Sequence, residues 1–117
     1  MVAFPLGCGT AEVIVIGGAV AGAATAAHLA AAGIRVLLLE RASVPAHKVC
    51  GEFISPDASA MLAELGIDLT GAAPIEHVRL SAGAARADAP LPFRALGFSR
   101  RLLDERLLMR AEALGAE

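Results

Sequence analysis

The segment Glu12–Arg41, EVIVIGGAVAGAATAAHLAAAGIRVLLLER, most constrains what this chain can fold into. Its β-branched run, Val13–Ile16, is typical of a strand buried on both faces of a parallel sheet. Glycines end this run, and the alanine-rich stretch that follows has high helix propensity and stops at Gly33. A second apolar run, Val36–Leu39, leads to Glu40. This order predicts a βαβ unit with a phosphate-binding turn between its first strand and its helix.

The turn follows the pattern G-x-G-x-x-G with its middle glycine replaced. Gly17 holds the first position, where glycine permits a tight turn, and Gly22 holds the third, where it permits close packing of helix on strand. Ala19 holds the middle position and adds one methyl where the diphosphate should pass, which can weaken or displace the ligand without excluding it. Free N–H groups at the helix start would bind the phosphates. The predicted phosphate-binding residues are Gly17, Gly18, Ala19, Val20, Ala21 and Gly22.

An acid follows the second strand at the distance expected for a ribose contact. Glu40 lies 18 residues beyond Gly22 (40 − 22), where a carboxylate can accept hydrogen bonds from ribose hydroxyls. The order strand, turn, helix, strand and acid therefore predicts dinucleotide binding, with a purely structural βαβ unit as the alternative. A membrane helix over Val13–Ile34 is a further alternative because the segment is long enough to span a bilayer, although alanine contributes little to insertion.

Composition limits the class of protein further. The 117 residues suffice for one domain and are too few for two. The net charge of -2, with scattered arginines, forms no basic stripe, so we expect no nucleic-acid partner. Residues 1–10 carry no positive charge typical of a signal peptide and are predicted to form a flexible leader. Cys8 and Cys50 then suggest reduced thiols in a cytoplasmic protein. No spacing matches a metal site or a Ser/His/Asp set.

Further elements are predicted after residue 50. Ser55 and Pro56 mark the start of a helix that Gly66 ends. Its expected apolar face comprises Met61, Leu62 and Leu65. The segment Ile75–Leu80 alternates with period two and predicts a half-exposed strand, whereas Pro90–Phe93 predicts a short edge segment because proline cannot donate to a ladder.

A second amphipathic helix is predicted near the end of the sequence. Ser99 is a suitable N-cap residue, the helix covers Arg100–Ala111, and Gly115 ends the segment. The residues expected on its buried face are Leu103, Leu107, Ala111 and Leu114.

Several of these motifs together resemble the amino-terminal part of FAD-dependent oxidoreductases. They are the glycine turn, the LLLER ending of the second strand, the segment HKVCGEFISPDA, and the pattern S-R-x-x-L-D-x-x-L-L that starts at Ser99. The groups concerned are the geranylgeranyl reductase family, the related para-hydroxybenzoate hydroxylase-like monooxygenases and the flavin-dependent halogenases. The resemblance covers nearly the whole chain and carries no information about the substrate.

The resemblance implies FAD as cofactor and assigns further residues to it. Glu40 would contact the adenosine ribose, and Arg41 would lie near the adenine side. Lys48 and Cys50 belong to a loop that would pass close to the flavin, and Arg100 would help hold FAD from a helix start. For each of three residues a role without cofactor contact stays open. Lys48 would then be a solvated side chain, Cys50 a small buried thiol, and Arg100 a surface residue that stabilises only its own helix.

The resemblance also implies an incomplete fold. The expected class is α/β, a Rossmann-like FAD/NAD(P)-binding βαβ unit with additional helices and short strands. Residues 11–117 would form the amino-terminal part of the FAD-binding domain, with 75–98 as strands of an adjoining substrate-side sheet. Family members run to several hundred residues and carry a later Gly-Asp motif that this sequence lacks. We therefore expect uncovered sheet edges and apolar faces. We also expect the chain to be a fragment or one piece of a longer enzyme, with a complementing carboxy-terminal piece as a candidate partner.

The function implied by the resemblance is that of a flavin-dependent oxidoreductase. In such enzymes NAD(P)H or another donor reduces FAD, which then serves hydroxylation, halogenation or reduction of an isoprenoid double bond. No residue is identified as an acid, base or nucleophile, and the small-molecule substrate stays unknown. The alternatives are an NAD(P)-binding dehydrogenase module, which would leave the Cys50 and Arg100 motifs unexplained, and a small non-enzymatic membrane or interaction protein.

Overall fold

The computed structural model describes residues 10–42, 46–50 and 52–117. Apart from Thr10, the predicted leader with Cys8 lies outside the described residues, and so does Gly51 of the HKVCGE loop. The elements in chain order are β1 (Val13–Ile16), α1 (Val20–Ala31), β2 (Val36–Leu39), β3 (Phe53–Ile54), α2 (Pro56–Glu64), β4 (Ala73–Ala82), β5 (Ala85–Gly97) and α3 (Arg100–Ala113). This content confirms the predicted α/β class.

The predicted βαβ unit is present. Strands β1 and β2 pair in parallel, with Val13 opposite Val36 and Ile16 opposite Leu39, and α1 connects them. Alanine supplies the buried face of α1, at positions 23, 26, 27 and 30, so α3 can pack close against α1. The segment considered as a membrane helix thus divides into a strand, a turn and a 12-residue helix. Within the described ranges, no helix combines the length and apolarity needed to cross a bilayer.

The glycines of the turn have the roles that their positions predict. Gly17 has a φ of +100°, a conformation that other residues rarely adopt. At Gly22 a Cβ would lie 1.7 Å from the carbonyl oxygen of Gly17 and 3.4 Å from Cγ1 of Val15. Only a residue without a Cβ therefore lets the first turn of α1 sit directly on the end of β1.

The second sheet is antiparallel, with the strand order β3-β5-β4. The prediction of a short segment at Pro90–Phe93 is wrong, because these residues lie inside the 13-residue β5. The predicted edge position is confirmed, because β3 pairs only with Leu96 and Gly97 of β5, and no other described strand lies on that side of Pro90–Phe93. The register explains how the strand accepts its prolines: Ile75 faces Ala95 but His77 faces Pro90, so β5 carries a bulge between these pairs. Prolines are tolerated at bulges, where ladder hydrogen bonds are interrupted.

The hairpin formed by β4 and β5 is longer and more exposed than predicted. The expected half-exposed strand Ile75–Leu80 extends over Ala73–Ala82, and most of its residues are exposed on both faces. The Cα radius of gyration is 17.3 Å, against about 13 Å for a compact chain of this length. The hairpin contributes to this elongation, because among the described residues its main contacts with the rest of the protein are at its base, where β5 meets β3 and α2.

The two later helices begin where predicted but differ in detail. Ser55 caps α2 by accepting a hydrogen bond from the N–H group of Ala58, whereas Met61 is 60% exposed and does not belong to the buried face. Ser99 precedes α3, but its side chain makes no capping hydrogen bond. The carboxylate of Glu52 instead accepts from the Arg100 N–H group at 3.2 Å. Of the predicted buried face of α3, Leu103, Leu107 and Ala111 are buried and Leu114 is half-buried.

The described residues cover the parallel sheet on one face only, which corrects the expectation that β1 is buried on both. Ile14 is 59% and Ile16 85% exposed, and Leu39 of β2 is 43% exposed. The opposite side of β1 packs on the core through Val15. An uncovered apolar face was expected from the incomplete fold that the resemblance implies, and the exposure of Ile14, Ile16 and Leu39 confirms it.

Replacing Gly22 with alanine should lower the free energy of unfolding by about 1–3 kcal/mol, because the new methyl collides with the Gly17 carbonyl. In an ordinary helix the same substitution raises stability by about 1 kcal/mol, so the sign is diagnostic. Gly97→Ala is the matched control, since a Cβ there would meet its nearest neighbour at an ordinary 3.5 Å. Urea unfolding of both variants measures the difference, and a Gly22→Ala variant at least as stable as the parent would contradict this packing.

Candidate functional site

The amino end of α1 is an open set of N–H groups. Ala19 takes the N-cap position with extended backbone, and among the described residues no side chain caps this helix and no acid occupies its first turn. The first N–H groups of a helix have no partner within the helix, and the helix dipole adds partial positive charge there. This arrangement suits a phosphate group.

Glu40 lies directly beside this helix start. Its carboxylate accepts hydrogen bonds from the N–H groups of Gly18, at 2.6 Å, and Ala42, at 2.8 Å. The Ala42 N–H group, followed by that of Gly18, lowers the pKa of Glu40. The acid is therefore ionised near neutral pH and can accept hydrogen bonds from a ligand's hydroxyl groups.

Gly18 makes this approach possible although the fingerprint does not require a glycine there. A Cβ at Gly18 would lie 3.1 Å from Cβ of Glu40 and 3.0 Å from Cδ2 of Leu108. The residue is buried between β2's end and α3. The turn, the acid and α3 are thus packed into one structure at this point.

A second polar cluster lies at the start of α3. The carboxylate of Asp104 is bound by Lys48 Nζ at 2.6 Å and by Arg100 Nη2 at 3.3 Å. Asp104 is only 1% exposed, whereas every described residue of 46–50 is exposed. The buried acid therefore ties an exposed loop to the helix.

Cys50 and Glu52 complete this cluster. The Cys50 sulfur accepts hydrogen bonds from the Glu52 N–H group at 3.3 Å and from Arg100 Nη1 at 3.8 Å. These two hydrogen bonds, the first being the stronger influence, lower the pKa of the Cys50 thiol. The backbone of Glu52 has a φ of +51°, and its carbonyl accepts from the Phe98 N–H group at 2.8 Å. Cys50 is exposed, which removes the alternative of a buried structural thiol.

The predicted site residues thus form two groups. The turn residues from Gly17 to Gly22 lie together with Glu40, and exposed Arg41 follows that acid directly. Lys48, Cys50 and Arg100 meet at the start of α3. Across the described ranges, no group of three or more His, Cys, Asp and Glu side chains is arranged to hold a metal ion.

The sequence motifs include Asp104 and Glu52, but sequence reasoning assigned no role to either. Asp104 carried a signal, because it lies four residues after Arg100 and between Leu103 and Leu107 on the apolar face of the helix. An acid on such a face must be paired. Glu52 carried no such signal, since its role depends on a backbone conformation rare for residues other than glycine.

The fold and the site define a dinucleotide-binding domain of the flavoprotein type. A family model described as FAD binding domain matches residues 10–101. The chain belongs to this family of FAD-binding domains.

Relatives of known name extend this result. The chain is 39% identical over 114 residues to menaquinone reductase from Mycobacterium tuberculosis, covering 92% of this chain and 28% of that protein. It is 34% identical over 95 residues to squalene epoxidase 6 from Arabidopsis thaliana, covering 78% of this chain and 18% of that protein. The chain therefore spans less than a third of the length of these relatives.

Solved structures share the fold. The flavin-dependent brominase Bmp2 superposes with a TM-score of 0.75 at 22% identity, over 92% of this chain and 28% of that one. The myxobacterial chondrochloren halogenase CndH, an FAD-dependent halogenase, gives a TM-score of 0.75 at 27% identity, over 90% of this chain and 27% of that one. The family model and these relatives confirm the resemblance to FAD-dependent oxidoreductases. Membership of the geranylgeranyl reductase family specifically stays a prediction.

Replacing Glu40 with glutamine should reduce stability in a pH-dependent way. Because folding lowers the pKa of Glu40, the ionised acid stabilises the protein at pH values above the ordinary glutamate pKa. This contribution is lost as the pH falls through the lower pKa of the folded protein. The stability difference between parent and Glu40→Gln should accordingly stay constant above about pH 5 and shrink as the pH falls below the ordinary glutamate pKa of about 4.3.

Thermal unfolding at each pH measures this difference. Glu76→Gln, at an exposed glutamate of β4, is the matched control and should show little difference at any pH. A Glu40→Gln deficit that persists unchanged at the acid end would show that the ionised carboxylate is not what the Gly18 and Ala42 N–H groups recognise.

Proposed function

We propose that the described residues bind the ADP half of FAD, with Glu40 at the ribose and the amino end of α1 at the diphosphate. The observation that carries this proposal is the 2.6 Å hydrogen bond from the Gly18 N–H group to the Glu40 carboxylate. It fixes the acid beside the open helix start, so that one ligand can contact both. The close contact at Gly22 supports the proposal, because it brings those N–H groups to the end of β1.

The same geometry supports a ligand with free ribose hydroxyls and a diphosphate. An ionised Glu40 accepts hydrogen bonds from hydroxyl groups and repels a ribose phosphate, which disfavours NADP. Ala19 adds a methyl group at the middle fingerprint position, but its backbone N–H group stays at the uncapped helix start. The methyl therefore narrows the phosphate path without removing its hydrogen-bond donors.

The second cluster is proposed to face the flavin side of the cofactor, with Arg41 near the adenine. Lys48 and Arg100 carry positive charge, and Cys50 is held beside Arg100. When bound, FAD supplies the redox chemistry. The residues described here bind and orient it, and none of them is placed as an acid, base or nucleophile.

The complete enzyme is proposed to be a cytoplasmic flavin-dependent oxidoreductase of the monooxygenase or alkene reductase type, with NAD(P)H as a candidate electron donor. The names of two relatives, menaquinone reductase and squalene epoxidase 6, support a substrate class. Menaquinone and squalene both contain isoprenoid chains, so an isoprenoid lipid is the substrate we propose.

FAD added to the purified chain should lose fluorescence and raise the melting temperature. ADP should compete with it, because ADP carries the ribose and diphosphate that Glu40 and α1 are proposed to contact, whereas FMN should not. Glu40→Gln should weaken FAD binding at least about tenfold, since a hydrogen bond to a charged group contributes about 1.5–3 kcal/mol. Glu76→Gln should leave the affinity unchanged.

Titration with NAD tests the alternative of a dehydrogenase module. Stabilisation by NAD but not by FAD would overturn the proposed function. Competition by FMN as strong as that by ADP would show that the ADP half is not what these residues recognise.

We also propose that a carboxy-terminal polypeptide completes the parallel sheet by pairing with β2. The Glu117 N–H group donates to the Val36 carbonyl at 2.9 Å, and the Leu38 N–H group donates to the Glu117 carbonyl at 2.7 Å. A residue that bonds to two alternate residues of its neighbour in this way forms a rung of a parallel ladder. A strand of the complementing polypeptide that follows Glu117 in this position would extend the sheet beside β2 and bring that polypeptide to the uncovered face of the sheet.

Co-expression can test this complementation with the part of the Mycobacterium tuberculosis menaquinone reductase that the match does not cover. The chain should co-purify with that polypeptide, and Ile16→Lys should abolish co-purification because the charge lies on the uncovered apolar face. Met61→Lys is the control, since Met61 is a similarly exposed apolar residue on α2. Equal loss in both variants, or co-purification unaffected by Ile16→Lys, would contradict docking at this face.

A further inference from the structure

Two cations from different parts of the chain share the buried carboxylate of Asp104. Lys48 Nζ lies 2.6 Å from Oδ2. Arg100 approaches Oδ1 with Nε at 3.4 Å and Nη2 at 3.3 Å. The carboxylate is 2% exposed, against 41% for Lys48 and 23% for Arg100. The acid is thus the fixed, desolvated member of the cluster, and the cations are its partly solvated partners.

This arrangement restricts the direction of Arg100. Its Nε and Nη2 are engaged by Asp104, so its Nη1 points to the Cys50 sulfur at 3.8 Å. A planar guanidinium held on one edge has little rotational freedom left. Asp104 therefore determines where the remaining edge of Arg100 is presented.

The position of Asp104 on α3 connects this cluster to the glycine turn. Arg100, Asp104 and Leu108 are spaced by four residues and lie on one face of the helix. Leu108 is the residue that a Cβ at Gly18 would meet at 3.0 Å. Asp104 therefore lies about 6 Å along the helix from the residue that packs on the turn.

We infer that Asp104 is a positioning residue for the cofactor, which holds Lys48 and Arg100 in the orientation that FAD binding uses. The inference rests on the proposed function for the direction of these cations, but the hold of Asp104 on Arg100 is measurable without a ligand. Asp104 itself is buried and acts through the two cations.

If Asp104 only reduces the local positive charge, its removal should change FAD affinity and Cys50 reactivity in the opposite directions. If the carboxylate only reduces the positive charge of Lys48 and Arg100, its removal should strengthen the attraction of phosphates and of a Cys50 thiolate. If it positions the cations, its removal should weaken both, because the cations are then free to move into water. The sign of each change therefore distinguishes the two roles.

The first measurement is FAD affinity by fluorescence titration of the full chain. Asp104→Asn should weaken binding about tenfold, the size of one hydrogen bond lost between the displaced Arg100 or Lys48 and the cofactor. Asp104→Glu, which keeps the charge but displaces the carboxylate, should fall between Asn and the parent. Asp88→Asn is the matched control, since it removes the acid of an exposed ion pair with Arg79 on the hairpin. Circular dichroism confirms that each variant is folded.

The second measurement is the pH dependence of Cys50 alkylation by iodoacetamide, in a Cys8→Ser background without FAD. The charged and titratable groups near this sulfur are Glu52, whose N–H group donates to it, Arg100, and the Asp104 and Lys48 pair behind Arg100. The midpoint should rise in Asp104→Asn and in Arg100→Gln. Adding Asp104→Asn to Arg100→Gln should change it little further, because the arginine that Asp104 holds is already gone.

The outcomes separate this inference from the proposed function. An unchanged or lower alkylation midpoint in Asp104→Asn overturns it, and so does FAD affinity that is unchanged or tighter while the parent binds FAD. Should Asp104→Asn fail to fold, Asp104→Glu decides by the same signs. A parent chain that binds no FAD contradicts the proposed function, and the alkylation midpoint then decides whether Asp104 positions Arg100.

Discussion

The contact of α1 with the end of β1 at Gly22 is the constraint on which the rest of the site depends. Because no side-chain atom separates this residue from the Gly17 carbonyl, the helix start lies against the strand end. That placement brings the open N–H groups to the same edge as Glu40. The acid then binds the backbone of the turn at Gly18, and Leu108 of α3 closes over it. A backbone contact thereby fixes the relative positions of the start of α1, Glu40 and α3.

The sequence was sufficient to predict the parts whose signals are local. The apolar runs, the turn glycines and Glu40 define a βαβ unit through periodicity and spacing, and the structure agrees within a residue or two. The helix starts at Ser55 and Ser99 followed from local residue preferences. The prolines of β5 were misleading, because the bulge between the Ile75–Ala95 and His77–Pro90 pairs admits them into a 13-residue strand. The exposed side of β1 also has no local signal, since burial depends on which strands lie nearby.

The second cluster shows why part of a site escapes local reasoning. Lys48 and Asp104 are 56 residues apart, and no local pattern in either segment predicts that the two side chains pair. The Glu52 carboxylate replaces Ser99 as the cap of α3. Ser99 has a good capping preference, but its buried hydroxyl makes no hydrogen bond with the described residues. Contacts between distant segments decide both features, and only the folded chain reveals them.

The pairing of Glu117 with β2 has a consequence for the order in which this domain can form during synthesis. Glu117 lies 78 residues after Leu39 (117 − 39), and the ribosome adds about 5–20 residues per second. The outer edge of β2 therefore waits on the order of 4–16 s for the residue that bonds to it. During that interval the excursion from β3 to β5 emerges and can fold on itself, because its hairpin pairs neighbouring segments. The nascent βαβ unit meanwhile presents an unpaired strand edge and an apolar face. Both features promote aggregation, so chaperone binding would protect the chain most during this interval.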